Sequence, residues 1–585
     1  MSTRWGVFSP RADGTVGRGE TVGADDPFDW RLWAVLVACI ALAASITGLH
    51  NGFAYDDRWI IAENARVHTL RAPWHLFRET YWPNARGAAL YRPMVILVYA
   101  LQWAVGGGRP LVYHLVNISL YVTLCVMVYW LALQLLPRVA ATSAAALFAA
   151  HPVHVEAVGN AVGQAELWAA CVVLAATALY VRARREGLPL RAGAGTAIAA
   201  LYAVGMFFKE HVIVLPALFV AVELFVVHDP RPWRERLDEC ASYLLKLALL
   251  ATVFLAIRTA VLSDVAGDTP HFSLQGLTMA QRAVVMLGLV PEFGRLLLWP
   301  ARLYADYSPA LVHVHTSWHV ELLPGILLLG CTALLAVLCV RRAPRVAFGL
   351  AWIAICLLPV ANILLPTGIL IAERTLLLPS VGAMLAVGVA VGWMVRRLQH
   401  EVRAAQLAAG GVFAALVMAG TAHSAERQRT WRDDDHVFET LAFDAPLNFR
   451  SHYSLGGRLF EKHRPLEAEL QWRTAIALLP GYHAVHIDLA HKYREAHVCQ
   501  AAIPEYHTGL AIAPASPLAR AGLVSCHLEL RQWHTARTEA RVAIADGMYR
   551  RAFDYMIEVA DSALVATDSS DGTVRWTGAH RVVKP

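Results

Sequence analysis

Two adjacent acids, Asp56 and Asp57, stand just after the first membrane-length apolar run, within Phe53-Ala54-Tyr55-Asp56-Asp57-Arg58-Trp59. Ionisable groups at a membrane boundary are costly to place and point to function. Neighbouring carboxylates repel, which raises one pKa toward the range of a general base. The pair also reads as a helix N-cap ahead of Arg58-Trp59-Ile60, or as solvated loop acids. A second polar group, His151, His154, Glu156, Gln164 and Glu166, lies between two short apolar stretches. It suits sugar and acceptor binding, or interfacial packing and capping. A divalent cation is a further option at His151 and His154, but zinc takes three or four ligands, so two His alone are a weak signal. A third group, Lys209, Arg258, Arg302 and Arg374, falls near the outer membrane face, against the usual inward bias of basic residues. Such cations would grip the phosphate of a lipid carrier, Arg bidentately, although each singly could be snorkelling to headgroups. No P-loop, spaced Cys ligand set or G-x-S-x-G elbow is present.

The elements that must position these residues are apolar. The chain is 57% hydrophobic and 16% charged, with mean hydropathy +0.44. Soluble proteins carry about 25% charged residues, so an all-α polytopic membrane protein is expected. The net charge of +6 sits in short basic clusters between apolar runs, such as Arg341, Arg342 and Arg345, which fits a lipid bilayer and argues for no nucleic-acid partner. Placing these clusters on one face gives about eleven spans with the N-terminus inside and the C-terminus outside. The apolar stretches 93–105, too short, and 284–299, interrupted by Pro291, Glu292 and Arg295, are read as surface or re-entrant helices. The first span reads as a signal anchor. Of nine cysteines, none forms a CxxC pair; Cys499 and Cys526 are candidates to pair in an oxidising space.

After about Ala425 the composition becomes that of a soluble domain. Pro446, Pro480 and Pro514 recur every 34 residues, as do Ala468, Ala502 and Ala536. That period, with small residues at helix crossings and Pro at the repeat end, is the tetratricopeptide signature. Stacked helix pairs leave a groove for extended peptide. The expected divisions are a cytoplasmic tail at 1–31, a membrane domain at 32–424, an extracytoplasmic repeat domain at 425–548 and a C-terminal helix and tail at 549–585.

Several short stretches, in order, carry a resemblance. They are Tyr55-Asp56-Asp57, Tyr91-Arg92-Pro93, the run from His114 to Asn117, the run from His151 to Val158, Gly163-Gln164-Ala165-Glu166, Lys209-Glu210, Asp306-Tyr307-Ser308 and the run from Ala372 to Gly382. With the repeat tail, they resemble the transmembrane and tetratricopeptide-repeat O-mannosyltransferase family and its bacterial relatives, from about Trp30 to Asp546. The resemblance implies a GT-C-type membrane fold that transfers a sugar, mannose first among candidates, from a polyprenyl-phosphate donor on the extracytoplasmic face. It places the catalytic base at Asp56 or Asp57 and functional acids at Glu156 and Glu166. Arg258 and Arg374 would meet the phosphate, and His154 would help position sugar or acceptor. Arg92, His151, Gln164, Lys209, Arg302, Asp306 and Glu373 complete the expected substrate-binding set. Gln164 departs from the animal pattern, where Arg is expected. The implied acceptor is a protein engaged by the repeat groove, and the implied location is a bacterial inner membrane with periplasmic repeats, or the endoplasmic reticulum membrane in a eukaryote. Rival readings are a lipid or polysaccharide glycosyltransferase and a non-enzymatic membrane scaffold; a transporter would need paired halves, which the sequence lacks.

Overall fold

A computed structural model describes residues 29–83, 90–187, 193–227, 232–263, 271–308 and 311–568. Most of the expected cytoplasmic tail and the C-terminal tail from 569 lie outside these residues. The protein is all-α, with no strand among the described residues. The membrane part comprises α1 (Trp30–Ser45), α2 (Pro93–Gly106), α3 (Pro110–Leu135), α4 (Arg138–Ala149), α5 (Val155–Gly159), α6 (Gln164–Arg185), α7 (Ala194–Phe208), α8 (Leu215–Phe225), α9 (Trp233–Leu262), α10 (Met279–Leu298), α11 (Leu323–Arg342), α12 (Pro344–Leu357), α13 (Leu377–Leu398) and α14 (Arg403–Arg427).

Among the described residues, seven helices are long and apolar enough to cross a membrane, those built on α1, α3, α6, α9, α11, α13 and α14, so the protein is a multi-pass membrane protein. The other four expected spans are the short helices α4, α7, α8 and α12. Burial sorts the long helices. The apolar window of α6 is 78% buried in protein and that of α13 72%, whereas those of α11 and α14 are 6% buried. Apolar surface of that extent needs lipid to cover it. The central helices approach through small residues, as helices without a hydrophobic drive between them do. A Cβ at Gly349 of α12 would stand 2.5 Å from the carbonyl oxygen of Gly382 in α13. Helix α10 carries Pro291 in its interior and a bidentate Glu292–Arg295 pair, in keeping with its expected exclusion from the spans.

Helix α14 runs through a short 3₁₀ turn ending at Trp431 into the repeats, α15 (Asp434–Asp444), α16 (Phe449–Glu461), α17 (Pro465–Leu478), α18 (His483–Glu495), α19 (Cys499–Ile512), α20 (Pro517–Glu529), α21 (Trp533–Ala545) and α22 (Arg550–Asp568). The first helix of each pair starts at Phe449, His483 and Pro517, and the second at Pro465, Cys499 and Trp533, each on the 34-residue step. Ala468, Ala502 and Ala536 are fully buried at the crossings, where any larger side chain would hold the helices apart. Cys499 and Cys526 are both buried free thiols, so the expected disulfide is not formed; the cysteines serve as small core residues between α19 and α20.

The first helix of each pair ends in a left-handed residue, His463, His497 and Arg531, with φ of 57–59°. A side chain costs about 1 kcal/mol in that conformation. His463→Gly should therefore leave the melting temperature of the detergent-purified chain unchanged or raise it. Ala502→Leu should destabilise it by about 1–3 kcal/mol through overpacking. Circular dichroism melts of both variants check this.

Candidate active site

The two acids of the loop after α1 are not equivalent. Asp57 is fully buried and its carboxylate is used up. One oxygen accepts the Val162 amide at 2.8 Å; the other accepts Ala161 at 3.1 Å and Ala54 at 3.2 Å. These bonds tie the loop after α1 to the turn that opens α6. Neighbouring side chains extend the tie. Asn117 donates to the carbonyls of Val158 and Asn160, and Asn51 to those of Gly159 and Gln428. The ring of His114 meets the Gly52 carbonyl at 3.0 Å. Burial pushes the Asp57 carboxyl up to about 7, against the pull of the three amides.

Asp56 differs. It is half-buried, accepts no hydrogen bond from the described residues, and lines a cavity of about 430 Å³ between the membrane part and the repeats. Its carboxyl is raised above the usual 3.8, first by burial and also by Glu156, while Arg374, Arg450 and Arg92 lower it. Tyr55, which aims Asp56, has φ of 57°, a left-handed conformation rare for a bulky residue. Its amide donates to Asp434 Oδ1 at 2.6 Å, and its ring packs on Trp431 and Phe438. The repeat side therefore holds the strained residue in place.

Three ion pairs join the expected charged residues. Arg374 grips Glu156 through its guanidinium, and its backbone amide donates to the same carboxylate at 2.8 Å. Lys209 pairs with Glu166, both buried. Arg92 makes a bidentate pair with Glu210 at 2.7 and 3.1 Å. The charges of Arg92, Glu210, Arg374 and Glu156 all act on Lys209, so the pairs form one cluster. Of the expected residues, Arg92, Glu156 and Arg374 act by charge on Asp56, and Lys209, paired with Glu166, is linked to them in turn.

Other expected residues serve the walls. His154 is buried between the Tyr121 hydroxyl at 3.0 Å and Ser380 Oγ at 2.8 Å, and His151 meets the Leu297 carbonyl at 3.2 Å. Both rings are engaged and no third donor joins them among the described residues, so a metal at this pair is not supported. Gln164 exchanges two hydrogen bonds with Gln102 where a cation was expected from the family pattern. Glu373 is fully buried and accepts from the Tyr304 amide and the Tyr307 hydroxyl. Asp306 faces the repeats, pairing with Arg450 at 3.4 Å and accepting from Asn448. Arg258 is buried in α9, and Arg302 is exposed and outside the cluster.

Arg450 was missed from sequence. Its counterparts one and two repeats on are Ala484 and Leu518, so a cation out of keeping with the repeat was the available signal. Glu210 and Gln102 become partners only through folding. A larger cavity of about 560 Å³, lined by Arg66, His68, Arg71, His75 and Glu79, lies within the first loop and does not include Asp56.

The contrast between the acids is testable by stability. Asp57→Asn would turn an amide donor toward amide donors in a dry site, and should cost about 2–4 kcal/mol. Asp56→Asn should change stability by no more than about 0.5 kcal/mol. Thermal melts in detergent distinguish the two.

No family model matches the chain. Curated relatives do. Protein O-mannosyl-transferase Tmtc3 of Drosophila melanogaster is 24% identical over 88% of this chain. Protein O-mannosyl-transferase TMTC4 of Homo sapiens is 25% identical over 74% of it. A 182-residue stretch, 29% of the chain, is 37% identical to 19% of Drosophila Tmtc2. The chain spans 63% of the length of Tmtc3 and 64% of that of TMTC4. Among solved structures, the APC/C hetero-tetramer Cut9-Hcn1 aligns with 68% of this chain and 86% of its own at 14% identity, with a TM-score of 0.23, too slight a likeness to bear on the fold. By sequence over most of its length, joined to an all-α membrane part and 34-residue helical repeats, the chain is a relative of the transmembrane and tetratricopeptide-repeat protein O-mannosyl-transferases.

Proposed function

We propose that this protein is a GT-C-type glycosyltransferase that moves mannose from a polyprenyl-phosphate donor to a Ser or Thr hydroxyl of a protein on the extracytoplasmic face. The observation that carries the reading is the unpaired carboxylate of Asp56, which lines the repeat cavity and feels the charges of Arg374, Arg450 and Arg92. The names of the relatives support the sugar and the protein acceptor. The poorly buried apolar helices α11 and α14 support a lipid-borne donor. The basic clusters on one side support an inward N-terminus and outward repeats, in a bacterial inner membrane or in the endoplasmic reticulum of a eukaryote.

The chemistry follows from the geometry. An acceptor segment enters along the repeat groove past Tyr453 and Asp488, and its hydroxyl donates to Asp56. As the acceptor oxygen bonds to the anomeric carbon, its proton passes to Asp56. The bond from that carbon to the phosphate oxygen breaks, and the electron pair leaves with the phosphate. A single displacement of this kind passes through an oxocarbenium-like state and inverts the anomeric centre. Arg374, Lys209 and Arg92 meet the leaving phosphate. Their acids, Glu156, Glu166 and Glu210, hold the cations in position before the donor arrives. Asp57 acts by holding the loop, not by touching substrate. A raised Asp56 pKa makes its carboxylate a stronger base than an ordinary Asp.

Release of sugar from radiolabelled polyprenyl-phosphate mannose, with envelope proteins as acceptor, tests the reading. Asp56→Asn should lower transfer by about 10²–10⁴-fold; unchanged turnover would remove Asp56 as the base. Only the ionised carboxylate can take the proton, so kcat should fall as pH drops, with a midpoint above 3.8. Asp434→Ala, which frees the Tyr55 amide, should lower kcat while leaving the donor KM unchanged.

A further inference from the structure

Away from Asp56, the chain between Tyr307 and α11 carries His313, His315, His319 and Glu321, which the mechanism above does not use. His315 and His319 stack with centroids 4.1 Å apart and planes 8° apart, so one ring turns out of the stack for both in-plane lone pairs to meet one ion. Glu321 Oε2 lies 3.0 Å from His315 Nε2 and 3.3 Å from His313 Nδ1. One donor atom each from His315, His319 and Glu321 lies within 4.8 Å of the other two, the only such trio of His, Cys, Asp or Glu among the described residues. His319 Nδ1 accepts the Glu321 amide at 3.3 Å, which orients the ring and leaves Nε2 for an ion.

Two donors bound tetrahedrally to one zinc at ordinary bond lengths stand about 3.4 Å apart. The two separations from Glu321, 3.0 and 3.3 Å, are close to that value, and His313 joins by rotation of an exposed side chain. Imidazoles with one carboxylate suit zinc; magnesium and calcium prefer oxygen throughout. A set of four protein ligands leaves no open position, which is the mark of a structural site.

We propose that His313, His315, His319 and Glu321 bind a structural Zn²⁺. The ion closes the 313–321 segment. That segment joins Asp306 and Tyr307, which contact Arg450 and Glu373, to α11, a helix the protein barely packs. Zinc here stiffens the connection between the candidate active site and a lipid-facing helix.

Full-length protein without a polyhistidine tag, purified in detergent and stripped by chelator, is titrated with Zn²⁺ by calorimetry. Wild type should bind one equivalent more than the His315→Ala/His319→Ala double variant. Zinc should raise the melting temperature of wild type only, and Mg²⁺ should raise neither. Glu321→Gln, an exposed and conservative change, should weaken that equivalent by at least about tenfold. X-ray absorption of the loaded wild type should show nitrogen-rich, four-coordinate zinc. Equal stoichiometry in wild type and the double variant, or an equal thermal shift in both, would overturn the site.

Discussion

The buried carboxylate of Asp57 is the contact on which the candidate active site depends. A charge in a dry site must be met by donors, and here three backbone amides from two loops supply them. Satisfying that one side chain fixes the first loop against the start of α6. Once the loop is fixed, its neighbour Asp56 has a defined direction, into the cavity rather than into the wall. The same logic places Glu156. Its carboxylate accepts both the amide and the guanidinium of Arg374, so the turn before α6 and the turn before α13 are held at one distance.

The repeats take part in this arrangement. Tyr55 sits in a backbone conformation that a bulky residue adopts only under constraint, and its constraint is Asp434, Trp431 and Phe438. The Gly52 amide adds a bond to the Arg432 carbonyl at 2.7 Å, and Arg450 reaches back to Asp306. The cavity between the repeats and the membrane part thus ends at the loop that carries the unpaired acid. The cluster of three ion pairs beside it is costly to desolvate and adds little stability by itself. In the proposed function its value is electrostatic, as cations oriented before a phosphate arrives.

Much of this was legible in the chain. The apolar runs gave the all-α membrane part because a span must satisfy its own backbone. The 34-residue recurrence gave the helix pairs, because a small residue is needed at each crossing. Residues flanked by polar neighbours at span ends, such as Lys209 and Arg374, could be picked out as a set. Other parts were not legible. Whether Asp56 or Asp57 was free could not be told from two identical side chains in sequence. Arg302 looked like Arg374 by position and lies exposed.

What the sequence alone determined were local properties: which stretches prefer lipid, which repeat, and which carry ionisable groups at a boundary. Those depend on residue type and spacing, and spacing is kept in the chain. Tertiary structure alone decided partnership. Asp57 was closed by amides more than a hundred residues away, Arg374 was given to Glu156, and Arg450 was brought to Asp306 from another domain. A carboxylate's role depends on whether its donors are supplied by protein or left to substrate, and only folding brings those donors within reach.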